Sequence, residues 1–179
     1  MDFIVSFNLS IQEVTFNSKG GTVDEVWSMA KAKDGTYYYA SFSKGFWQSK
    51  DNNKSWTQIP AIEKLKVDPL MKKGSYGSCG LSNGAVILTT SSGFYYLKND
   101  KATAFDLYGK GAEVYSVLED KSGKYAYINK WTYLFRLDLK TLKLDTVLTN
   151  YNLIGKAVMN LVQDRGGNQL YRLGETTYF

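Results

Sequence analysis

The chain has no histidine, one cysteine (Cys79), two prolines (Pro60 and Pro69) and three arginines (Arg136, Arg165 and Arg172) among 179 residues. Without histidine, the commonest general base and metal ligand is missing, which removes His-dependent hydrolases and His-built zinc sites. A lone cysteine forms no intrachain disulfide. No window approaches the ~18 consecutive apolar residues of a membrane-spanning helix. The start, Met1 to Ser10, has neither the basic region nor the apolar run of a signal peptide. As written the chain reads as cytoplasmic; if Met1 is not its natural start, an exported or periplasmic location stays open. What is present is 44% hydrophobic residues, 22% charged residues and a net charge of +5 from 22 Lys+Arg and 17 Asp+Glu. Such a balance suits one folded domain with a real core.

Internal repetition organises that domain. Val26-Trp27-Ser28-Met29 with Gly35, Tyr76-Gly77-Ser78-Cys79 with Gly84, Val114-Tyr115-Ser116-Val117 with Gly123, and Val158-Met159-Asn160-Leu161 with Gly167 share one pattern. The marker glycines are 49, 39 and 44 residues apart. That period, in segments rich in β-branched and aromatic residues, is the spacing of a four-stranded propeller blade. Helical stripes are absent, apart from one turn expected near residues 61–67. The spacing predicts an all-β propeller of four antiparallel meander blades, at about 24–60, 74–107, 112–149 and 157–179 plus 1–16. Phe7-Asn8-Leu9-Ser10 matches Leu137-Asp138-Leu139-Lys140, so the amino terminus is expected to complete the last blade. The alternative is half of a larger ring, reached by self-assembly or with further repeats.

Ser49-Lys50-Asp51-Asn52-Asn53-Lys54-Ser55-Trp56 resembles the Asp-box, S-x-D-x-G-x-x-W, of sialidase-like propellers. Asn53 stands where that motif has glycine, a residue type the left-handed region tolerates. Gly84 through Ile87 to Phe94, and Val114 to Gly123, resemble the repeat of sensor propellers in bacterial two-component regulators, with Ala126 where that family has tryptophan. The resemblance implies a rigid, non-catalytic binding or sensor domain in which Ser49, Asp51, Asn53 and Trp56 are structural. A sialidase would need an arginine triad, a Tyr/Glu pair and an acid/base carboxylate; with three scattered arginines, glycoside hydrolysis is disfavoured.

Two groups of residues are candidates for function. Ser28, Ser78, Ser116 and Asn160 share the third position of each innermost strand and are expected to line the central channel. Loops at one end of the ring carry Phe42, Lys44, Lys130, Trp131 and Glu175, where an exposed ring such as Trp131 suits a sugar face or a protein partner. The expected partner is thus a protein, a glycan or a second copy. Nucleic acid is disfavoured, because the lysines are scattered and arginine, the bidentate phosphate reader, is scarce. No cofactor and no metal is expected.

Overall fold

The structure is a computed structural model that describes residues 4–8, 13–17, 26–107, 113–149, 158–163, 169–173 and 176–178. It is all-β. Strands β1 (Ile4–Asn8) and β2 (Glu13–Asn17) form a hairpin. The first four-stranded sheet is β3 (Val26–Lys31), β4 (Tyr37–Ser41), β5 (Gly45–Ser49) and β6 (Thr57–Gln58), antiparallel in chain order. The second is β7 (Cys79–Gly80), β8 (Val86–Thr89), β9 (Gly93–Lys98) and β10 (Lys101–Asp106). The third is β11 (Val114–Glu119), β12 (Tyr125–Lys130), β13 (Tyr133–Asp138) and β14 (Leu144–Leu148). Strands β15 (Val158–Gln163), β16 (Gln169–Leu173) and β17 (Thr176–Tyr178) follow as a three-stranded sheet.

Local chemistry sets the meander. Gly35, Gly84 and Gly123 take φ of 91°, 83° and 67° in the hairpins that join first to second strands. A nearby Asx side chain closes each turn: Asp34 Oδ1 accepts from the Thr36 amide, Asn83 Oδ1 from Ala85 and Asp120 Oδ1 from Tyr125, each at 2.9 Å. The fourth marker, Gly167, lies outside the described residues.

Sheets then stack face to face in a propeller-like row. Ala40 and Phe46 of the first sheet pack with Val86, Leu88 and Tyr95 of the second; Ile87, Phe94 and Tyr96 pack the other way against Val114, Ala126, Ile128 and Phe135 of the third. The middle sheet is covered on both sides, which is why Val86 to Leu88 is an uninterrupted apolar run instead of an alternating one. Leu134 and Leu161 continue the row to β15.

Three expectations are corrected. The helical turn is shorter and earlier than expected, α1 at Pro60–Glu63, and a 3₁₀ turn at Pro69–Lys72 follows it. Each proline starts its turn, where a missing N–H costs nothing. The first strand of the second sheet is only Cys79–Gly80, with Gly74 bridging to Thr90 ahead of it. Finally, among the described residues β1–β2 stands as its own sheet and does not join β15–β17. The likeness of Phe7-Asn8-Leu9-Ser10 to Leu137-Asp138-Leu139-Lys140 reports hairpin propensity, which carries no information about the edge the hairpin meets.

Candidate functional site

The innermost strands do not begin as regular ladders. In β3, Val26 pairs with Ser41 and Ser28 with Ala40, leaving Trp27 as the extra residue of a β-bulge. In β11, Val114 pairs with Lys130 and Ser116 with Asn129, leaving Tyr115 in the same place. In β15 the shift lies between Val158 and Asn160. A bulge re-aims the side chain it carries, and the aromatic ones converge.

Trp27 stacks on Phe42 of the β4–β5 turn (centroids 4.9 Å, planes 17° apart) and on Tyr76 (4.4 Å, 22°). Tyr76 lies parallel to Tyr115 (5.9 Å, 5°), and Tyr115 meets Trp131 of the β12–β13 turn (6.1 Å, 35°). Five rings therefore run in one file across three sheets, at the end of the ring holding the second-to-third-strand turns. Tyr76 is 48% and Trp131 41% exposed; the other three are half-buried. Burial, and then the charge of Glu113, pushes the Tyr115 phenol up, so it stays a neutral donor at physiological pH. Trp131 holds φ at 52°, a left-handed conformation costly for a bulky residue. Such a conformation persists only where the surrounding structure fixes it.

The expected loop residues divide. Phe42 and Trp131 belong to the file. Lys44 is exposed in the Phe42 turn, where its amide bonds to Ser41 Oγ at 3.0 Å and its carbonyl accepts from Trp47 Nε1 at 2.9 Å. Lys130 is corrected: it ends β12 instead of entering the loop and is 1% exposed, with Nζ donating to the Ser91 carbonyl at 3.4 Å. The turn between β12 and β13 is only Trp131-Thr132, so Lys130 stays on the strand and is buried. Burial pushes its ammonium pKa down, against the raising influence of the Glu113 and Asp106 charges. Glu175 lies outside the described residues.

The serines expected to line the channel make the following contacts. Ser28 is buried at a seam between sheets, where its hydroxyl donates to the Ser75 carbonyl and lies 2.7 Å from Ser78 Oγ. Ser75 Oγ in turn donates to the Val114 carbonyl at 2.8 Å. These hydroxyls tie one innermost segment to the next. Ser116 Oγ is buried, and the Asn160 side chain lies outside the described residues. Cys79 is half-buried at the inner strand, and burial pushes its thiol up, so it is not an activated nucleophile.

The loop from Ser49 to Trp56 sits at the other end of β5 from Phe42, away from the file. Asp51 accepts from Ser49 Oγ (2.8 Å), Ser55 Oγ (2.6 Å) and the amides of Ser55 (2.9 Å) and Lys54 (3.1 Å). Asn53 takes φ of 68°, its amide donating to Ser49 Oγ at 3.0 Å, and Trp56 meets Tyr39 edge-on at 4.7 Å. Bonds from Ser55 and then Ser49 hold the Asp51 carboxyl at about 2. A depressed carboxyl stabilises the fold fully above its unfolded value and loses that contribution as pH falls. Chemical denaturation of the wild type should show stability falling between about pH 4 and pH 2; Asp51→Asn should be less stable at pH 7 and show a shallower fall.

No protein family and no curated protein matches the chain. Solved structures do. The extracellular domain of the putative one component system BT4673 from B. thetaiotaomicron matches with a TM-score of 0.71 at 16% identity, over 91% of this chain and 22% of that one. That of the putative hybrid two component system BT4673 gives 0.72 at 15%, over 98% and 23%. That of BT3049 from the same organism gives 0.66 at 17%, over 93% and 22%. The chain thus spans less than a quarter of the length of these proteins. At such identity the likeness is one of fold, and the chain shares the propeller-like all-β architecture of these extracellular domains.

Proposed function

We propose that this chain is a non-enzymatic sensor segment that binds a glycan along the file Phe42–Trp27–Tyr76–Tyr115–Trp131. The carrying observation is the file itself: partly open rings from three successive repeats, two of them, Trp27 and Tyr115, placed by bulges at the same position of their repeats. Sugar rings present C–H faces that pack on aromatic faces, and phenol and indole donors at the ring edges serve their hydroxyls. A row of rings held by strands rather than by long loops loses little ordering entropy on binding. Signal reception is supported by the similar structures, which are extracellular domains of putative one- and two-component systems. Such a role favours export, and the neighbours' length favours a larger ring over a closed four-bladed one. The absence of histidine and the three scattered arginines support binding without turnover.

The test is Trp131→Gly. Glycine accepts φ of 52° without strain, so denaturation should place the variant within about 1 kcal/mol of the wild type. Binding to an oligosaccharide array should nevertheless fall sharply, and Tyr76→Ala should act likewise. Retention of every array signal by both variants would remove the file as the binding surface.

A further inference from the structure

Beyond Phe42 the file runs into a cleft of about 610 Å³ lined by Phe42, Ser43, Val67, Pro69, Lys72 and Lys73. Its size falls in the ~300–1,000 Å³ range of small-molecule sites. Lys73 Nζ stands 4.8 Å from the centroid of the Phe42 ring, the same ring that stacks on Trp27. Cleft and file therefore share a wall. Neither Lys72 nor Lys73 belongs to an ion pair among the described residues, and no acidic side chain lines the cleft. The adjoining connection carries two carboxylates, and neither lines the cleft: Glu63 ends α1, and Asp68 is turned into its own 3₁₀ turn, accepting from the Leu70 amide at 2.8 Å.

The segment that carries these lysines is anchored on both sides. Met71, immediately before them, is fully buried, and its carbonyl accepts from the Tyr95 hydroxyl at 3.0 Å. The Lys73 carbonyl accepts from the Ser91 amide at 3.0 Å, and the Gly74 amide donates to the Ser41 carbonyl at 2.9 Å. Two lysines lining one partly apolar cleft on an anchored segment, in no ion pair among the described residues, form an anion site of low ordering cost.

We propose that this cleft binds the anionic group of an acidic sugar, a carboxylate or a sulfate ester, at the end of a saccharide lying on the aromatic file. This rests on the glycan reading above and names the class of glycan. Apolar walls (Val67, Pro69 and Phe42) take the sugar ring, and the ammonium groups of Lys72 and Lys73 take the charge.

Three probes test it by tryptophan fluorescence titration: a tetragalacturonate, its methyl ester, and a neutral galactose tetramer carrying one sulfate ester. At low salt the tetragalacturonate, the sulfated tetramer or both should bind about tenfold tighter than the methyl ester, as expected for exposed charges partly desolvated on a ring. The advantage should shrink as salt rises. The double variant Lys72→Gln/Lys73→Gln should lose the advantage while keeping wild-type affinity for the methyl ester, which also shows that it is folded; Lys72→Arg/Lys73→Arg should retain it. A gain by the tetragalacturonate alone assigns the site to uronates, and a gain by the sulfated tetramer alone to sulfate esters. Equal binding of charged and uncharged probes, or an advantage that survives the double glutamine variant, overturns the anionic site and leaves the glycan reading standing. Binding of none of the three probes, with no effect of Trp131→Gly on the oligosaccharide array, overturns both.

Discussion

Gly77→Ala is expected to cost about 3 kcal/mol of folding stability, near the upper end for a forced overpacking. A Cβ built at Gly77 would lie 2.6 Å from Ser116 Cα and 2.8 Å from Ser116 N, backbone atoms of the neighbouring sheet. Backbone cannot rotate away as a side chain can, so relief requires the second and third sheets to part near the axis. Gly74 meets the first sheet in the same way, at 2.7 Å from Ala40 Cβ and 2.8 Å from Ser41 N, and Gly80 meets the Lys31 carbonyl. Three glycines at intervals of three residues thus let β7 and the segment leading into it sit between the first and third sheets. The control is Gly84→Ala, where φ is 83° but nothing lies within 4 Å of the added carbon; left-handed strain alone should cost about 1 kcal/mol. Urea denaturation of both variants decides the matter. Equal losses would show that the sheets are not in contact at the axis.

Tyr95→Ala should be at least as damaging, about 3–5 kcal/mol by analogy with buried phenylalanine truncations. The ring is fully buried, meets Phe46 of the first sheet edge-on at 5.3 Å, and carries its hydroxyl to the Met71 carbonyl at 3.0 Å. It therefore joins two sheets and also pins the connection that carries Lys72 and Lys73. Desolvation pushes its phenol up, as expected for a buried neutral donor. Tyr95→Phe separates the two roles. Losing only the hydrogen bond should cost about 1 kcal/mol, and the released Met71 segment should show faster amide exchange while the sheets hold. A Tyr95→Phe variant as unstable as Tyr95→Ala would mean that packing contributes little at this position.

Part of this organisation is legible without coordinates. The turn chemistry of Asp34-Gly35, Asn83-Gly84 and Asp120 to Gly123 acts within a few residues, so spacing alone finds the hairpins and hence the strands between them. The exposed ring of Trp131 is likewise readable, because a tryptophan beside a turn stands out against its neighbours. Lys130 is not. Whether a residue next to a turn faces water or core depends on the exact turn length, and an error of one residue inverts the answer. Trp27, Tyr76 and Tyr115 are not singled out by the sequence beyond their place in the repeat, since β-propensity gives such aromatics a sufficient local reason. Their one available signal was an aromatic ring near the start of successive repeats.

By itself, the amino-acid sequence determined a repeating all-β chain with short hairpins, no histidine chemistry and no disulfide within the chain, because each of these follows from composition or from contacts a few residues apart. Only the tertiary structure decided that two bulged strand aromatics, Trp27 and Tyr115, line up with Tyr76, Phe42 and Trp131 in one file. It also decided that Ser28 and Ser75 tie neighbouring inner segments, that glycines at positions 74, 77 and 80 set the spacing of the sheets, and that among the described residues β1–β2 forms a sheet of its own. All of these depend on which residues of distant segments come to share a seam. No periodicity within a strand encodes that, because the free energy of a seam belongs to two sheets at once.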